Sequence, residues 1–139
     1  MIFAGVNVLG VLAGAVAAWI VGFVWYSPQV FLKRWLKLTG ITEKEMAENM
    51  KKSMASTFLI MFLSAVVTVF VLARLIYFTG NTTLFGSLKI AFCAWVGFMA
   101  MPGLNSVLME KKPKELYLLN MGHFLVALLV SAIIIGLSW

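Results

Sequence analysis

Residues 2–26 read IFAGVNVLGVLAGAVAAWIVGFVWY, 25 positions without a charge and with Asn7 as the one strongly polar side chain. Crossing a bilayer core of about 30 Å takes roughly 20 mostly apolar residues in a helix. In hydrocarbon the backbone must satisfy its own hydrogen bonds, which leaves helices or closed barrels, and a continuous apolar run lacks the alternation of a barrel strand. The stretch therefore predicts a membrane helix. No Lys or Arg precedes it and it exceeds the apolar core of a signal peptide, so it reads as a retained span.

Working outward, three more stretches have the same character, at about 54–78, 88–108 and 116–139. The predicted fold is an all-α integral membrane bundle of four transmembrane helices in a single domain, 1–139. Composition agrees: 63% of residues are hydrophobic and 12% charged, with a mean hydropathy of +1.01. Soluble domains have roughly 45–50% and about 25%. So little charge cannot keep a chain this size in water, and disorder requires the opposite composition. Cys93, the one cysteine, has no partner for an internal disulfide and reads as a small buried apolar residue.

The net charge of +6 is not a nucleic-acid footprint, because it is confined to connections between spans. Lys33, Arg34, Lys37, Lys44, Lys51 and Lys52 lie in the first connection, and Lys111, Lys112 and Lys114 in the third; only Arg74 and Lys89 flank the second. The excess of cations on one side predicts that connections one and three are cytoplasmic, with both termini and connection two outside, in a bacterial inner membrane. Within the first connection, Phe31, Leu32, Trp35 and Leu36 recur at helical spacing, with Lys33, Arg34 and Lys37 opposite. This predicts an interfacial helix over about 29–39, its apolar side in the membrane and its cations towards anionic headgroups. Gly40 is a stop, and Thr42 with Glu45 forms a capping-box pattern, so the second membrane helix is expected to begin near Thr42, ahead of its apolar part.

The sharpest packing pattern is Gly10, Gly14, Ala18 and Gly22, four residues apart on the first helix, a stripe that lets another helix approach closely. Asn7 falls on the same stripe, which makes the first helix central and turns Asn7 towards protein. Thr57, Ser64 and Thr68 share a face of the second span, and Asn120, His123, Ala127 and Ser131 share one on the last. These polar groups read either as interhelical hydrogen bonds or as a polar site built from Asn7, Asn120 and His123. Arg74 is expected to reach headgroups. Pro102-Gly103 marks a kink near the end of the third span, beside Asn105 and Ser106.

Chemistry finds few carriers. All five acids, Glu43, Glu45, Glu48, Glu110 and Glu115, lie outside the spans, against the carboxylate-dependent coupling of exporters. One His and one Cys are too few for a metal site, and no catalytic set or phosphate loop is present. No cofactor is expected.

The run Gly22-Phe23-Val24-Trp25-Tyr26-Ser27-Pro28, with Phe31, Trp35 and Gly40 after it, resembles a family of small bacterial membrane proteins of unknown function that carry a GFxWYSPxxFxxxW-type segment. Asn7, Trp95-Val96-Gly97-Phe98 and Asn120 fit as well, while Leu32 stands where that family often has Gly. The resemblance implies four membrane helices and no particular activity. The expected function is a non-enzymatic membrane protein that acts as a homo-oligomer, or by binding lipid or a partner membrane protein. The alternative is a small uncoupled permease or channel with a polar path through Asn7, Asn120 and His123.

Overall fold

The structure is a computed structural model that describes residues 1–139. It is helical apart from a minimal hairpin at the start, β1 (Ile2–Phe3) and β2 (Val6–Asn7), paired antiparallel with Ile2 opposite Asn7. Ala4 and Gly5 turn the chain at φ of 52° and 79°, the positive pair that a tight hairpin requires. The first helix, α1 (Val8–Trp25), thus begins after Asn7, and not near residue 2. Asn7 is its N-cap: Oδ1 accepts from the N–H groups of Leu9 and Gly10, at 3.1 and 3.4 Å. An Asn at this place stabilises a helix start by filling donors that have no intrahelical partner.

After Pro28 comes α2 (Leu32–Thr39), closed by Gly40 at φ 74° with its N–H on the Leu36 carbonyl. Glycine tolerates this left-handed closure at no steric cost. Next, α3 (Glu43–Phe78) is opened by Thr42, whose hydroxyl accepts from Glu45 N–H. Its 36 residues measure about 54 Å, far beyond a bilayer core. The excess is set apart at Ser53, where φ −140° and ψ 26° interrupt the helix between the polar segment and the apolar one.

The third span is not one regular helix. It begins as α4 (Leu84–Trp95), passes through a π turn at Val96–Ala100, and continues as the short α5 (Met101–Gly103) and α6 (Asn105–Leu108). Pro102 has no N–H to continue the ladder, and Leu104 N–H donates three residues back to Met101. The Ala100 carbonyl accepts instead from Tyr117 Oη at 2.5 Å, so a side chain of the last helix, α7 (Lys114–Ser138), completes the break. The four helical runs Val8–Trp25, Glu43–Phe78, Leu84–Leu108 and Lys114–Ser138 are each long and apolar enough to cross a membrane.

In space the order is α3, α1, α7, α4, with α1 and α7 sharing the centre. Glycines set the close approaches. A Cβ on Gly10 would lie 2.4 Å from Ser138 Oγ, one on Gly14 3.0 Å from Val69, and one on Gly136 3.1 Å from the Leu84 backbone. Ser131 Oγ donates to the Gly14 carbonyl at 3.0 Å, and Asn7 Nδ2 to the Ser138 carbonyl at 3.0 Å. The small-residue stripe of α1 is therefore used inside the chain, at Gly10 against α7 and at Gly14 against both α3 and α7. Core side chains such as Ala15, Leu72, Ile76, Ala132 and Ile135 gather in the half of the bundle nearest the hairpin. Large apolar side chains such as Phe85, Phe98 and Leu118 point outward, as a hydrocarbon solvent permits and water does not.

Two expectations change here. Cys93 is exposed, because it lies on the outer side of α4 with Phe85 and Phe92. Arg74 donates to the Ala4 carbonyl and sits 4.1 Å over the Phe78 ring, so it clamps the hairpin to α3.

Candidate functional site

At the end of the bundle that carries α2, the helices separate. Packing between α3 and the α4–α6 run is sparse compared with α1 on α7, and a cavity of about 1020 Å³ opens between them. This is the upper end of the range for small-molecule sites, about 300–1,000 Å³. Along α7 the cavity reaches from Leu116 to Ser131, about 22 Å of helix.

Both polar faces seen in the sequence turn to this one space. Thr57, Ser64 and Thr68 of α3 line it on one side, and Asn120, His123, Ala127 and Ser131 of α7 on another. Ala18 and Gly22 supply the α1 wall, and Met99, Gly103 and Ser106 the wall next to the π turn. The hydroxyls near the deep end are spent within the chain: Thr68 donates to Ser64 O at 2.9 Å, and Ser131 shares its one proton between Ala127 O at 2.9 Å and Gly14 O at 3.0 Å. Trp19, Phe23 and Phe58 form an aromatic cluster beside the cavity, with ring centroids between 4.8 and 6.2 Å apart.

Asn120 and His123 are brought together with Tyr26. Tyr26 Oη donates to Asn120 Oδ1 at 2.7 Å, and the Tyr26 and His123 rings are 5.2 Å apart. His123 Nε2 is 3.2 Å from the place a Cβ on Gly22 would take, so the absence of a side chain at Gly22 gives the imidazole its position. His123 Nδ1 and Trp19 Nε1 are buried with no hydrogen-bond partner.

Asn7 is not part of this group. It caps α1 at the opposite end, 15 residues and about 22 Å of helix from Gly22. The expected three-residue polar site is thus divided: Asn120 and His123 share a cavity, and Asn7 ties α1 to the end of α7. Between them lies the packed core of Ala15, Ile76 and Ala132, each fully buried.

The α2 residues also separate by role. Lys33 and Lys37 are exposed, while Arg34 pairs with Glu115 and so joins α2 to the start of α7. Phe31 packs on Trp25 at 4.8 Å, and Trp35 meets Tyr26 edge-on at 6.1 Å and lines the cavity. The contacts of these aromatic side chains with α7 cannot be read from sequence spacing. Trp25 Nε1 donates to Leu119 O at 3.1 Å and Trp95 Nε1 to Met121 O at 2.9 Å, so both indoles hold the α7 segment that carries Asn120 and His123. The WYSP run was the available signal, because it puts two aromatic rings with polar tips at the point where α1 ends.

Four titratable side chains line the cavity: Tyr26, Tyr117, His123 and Lys112. No carboxylate does, and no set of three His, Cys, Asp or Glu is close enough to hold a metal ion. What the cavity offers a ligand is shape and a few hydrogen-bonding groups.

A family model described as a protein of unknown function, DUF1761, matches residues 9–136. The chain belongs to the DUF1761 family. No curated protein and no solved structure matches it. The DUF1761 match includes every wall of the cavity and excludes Asn7 with the hairpin.

Proposed function

We propose that this protein is a non-enzymatic, multi-pass membrane protein that takes an amphiphilic molecule from the bilayer into the cavity between α1, α3 and α7. The carrying observation is that the polar faces of α3 and α7, which close packing would have joined, line the same mostly apolar cavity. The sparse contact between α3 and the Met99–Ser106 wall offers a side entrance from lipid. With no carboxylate in the cavity, its tyrosines and histidine lack a partner for acid–base work, which supports binding over catalysis.

The cation count supports a reading in which the α2 end of the cavity faces the cytoplasm at an inner membrane, with Lys33 and Lys37 towards anionic headgroups. The core around Ala15, Ile76 and Ala132 separates the cavity from the hairpin end, which favours a binding protein over an open channel. A homo-oligomer or a partner membrane protein would use the outer faces, such as that of Phe85, Phe92 and Phe98, since the α1 stripe is turned inward to α3, α7 and the cavity.

The test is photo-crosslinking in nanodiscs with a lipid that carries a diazirine in its acyl chain, followed by peptide mapping. Adducts are expected at inward residues such as Phe58, Ser64 and Met99. Adducts restricted to outward residues such as Leu59, Leu63 and Phe98 would defeat the proposal.

A further inference from the structure

The polar end of the cavity defines the head group that fits it, given the binding function just proposed. At the level of Gly22, the Tyr26 hydroxyl donates to Asn120 Oδ1 at 2.7 Å. That bond uses the acceptor of the amide and the donor of the phenol. The two N–H groups of Asn120 Nδ2 remain, and they bond to nothing else in the chain. His123 is likewise free of hydrogen bonds, with Nδ1 buried and Nε2 set in the space that Gly22 leaves open. Asn120 is part-buried and lines the cavity, so a ligand atom that accepts from its Nδ2 adds a hydrogen bond that no group of the chain supplies.

Charge narrows the choice. Lys112 is the one charged side chain lining the cavity, and it already pairs with Glu110 at 3.0 Å. A carboxylate or phosphate drawn to the Asn120 level would lose its water without gaining a free cation, an unfavourable exchange. A carbonyl oxygen has no such cost and accepts the same hydrogen bond. Past the head position, the cavity continues from Asn120 to Ser131, about 16 Å along α7, beside Phe58, Ala65 and Leu128. The deep hydroxyls of Thr68 and Ser131 are internally bonded, which leaves Ser64 as the one free hydroxyl on an otherwise mostly apolar wall.

We propose that the ligand is a charge-neutral, long-chain amphiphile with a carbonyl-bearing head, its oxygen bonded by Asn120 Nδ2 beside His123 and its chain directed towards Ser131. The inference rests on the proposed binding function and assigns the orientation and head chemistry of the ligand.

The experiment is competition against the diazirine-lipid crosslink in nanodiscs, with monoolein, oleate at pH 8 and octadecene as competitors of matched chain character. Monoolein is expected to compete at a mole fraction about tenfold lower than oleate or octadecene. Asn120→Leu combined with Tyr26→Phe removes the amide donors together with the hydroxyl that the amide oxygen serves, so no polar group is left without its partner. It should weaken monoolein about tenfold and leave octadecene unchanged. His123→Phe keeps a ring against Tyr26 and should weaken monoolein to a smaller extent. Oleate competing best, or equal competition by all three, would overturn the head-group assignment while leaving ligand binding intact. An inward crosslink that no competitor reduces would overturn it as well. Absence of any inward crosslink in the unmodified protein would remove the underlying function too.

Discussion

Replacing Asn7 by alanine removes two interactions that the structure assigns to one side chain. The first is the cap, in which Oδ1 fills the N–H groups of Leu9 and Gly10. Losing such a cap costs about 1 kcal/mol. The second is the bond from Nδ2 to the Ser138 carbonyl, and interhelical bonds of this kind average about 0.6 kcal/mol in a membrane protein. The two lie at one residue but act on different partners, so Asn7→Ala should cost about 1.6 kcal/mol, or about 15-fold in the unfolding equilibrium. Serine in place of Asn7 keeps a capping oxygen and is too short to reach Ser138, so Asn7→Ser should lose only the smaller part, about 0.6 kcal/mol. Steric-trap unfolding in bicelles measures both. At equal folded fraction, both variants should hold ligand as the unmodified protein does, because Asn7 is remote from the cavity. Equal destabilisation by Ala and Ser, or a loss of ligand without a loss of stability, would refute the assignment.

Other perturbations separate packing from binding. Gly136→Leu places side chain against the Leu84 backbone and Ser87, and should destabilise by about 1–3 kcal/mol in the same assay. Gly97→Ala, with no atom within 4 Å of its added carbon, should leave stability unchanged or slightly raised. Cys93, exposed on the outer side of α4, should take up an acyl-chain diazirine and resist a charged, impermeant maleimide, as read by peptide mapping. Breaking the α2 tether with Arg34→Gln should leave the fold in place and raise amide hydrogen exchange in residues 32–39, since the lost partner, Glu115, is on α7.

The membrane helices were legible because each is a long apolar run bounded by charge, and the Thr42 start and Gly40 stop because caps have local chemistry. The first helix start was not, since Ile2, Phe3 and Val6 are as apolar as the helix after them. Gly5 and the capping preference of Asn7 were the only local signs of the hairpin. Proline drew attention to residues 102–103, whereas the departure from α geometry begins at Val96, where no residue type demands it. The polar stripes could be read from spacing. That they face a common cavity could not, because spacing tells which residues share a helix face and says nothing of how far the next helix stands. Cys93 shows the same limit: an apolar helix in lipid carries no compositional mark of its inner side.

Native mass spectrometry of the protein released from nanodiscs of its own membrane lipids reads directly whether the cavity is an occupied binding site. One neutral amphiphile should be retained per chain. That adduct should persist in Asn7→Ser and disappear in Gly22→Leu, whose side chain would enter the space beside His123. Chains that carry no adduct, or an identical adduct in the folded Gly22→Leu variant, would contradict occupancy of the cavity.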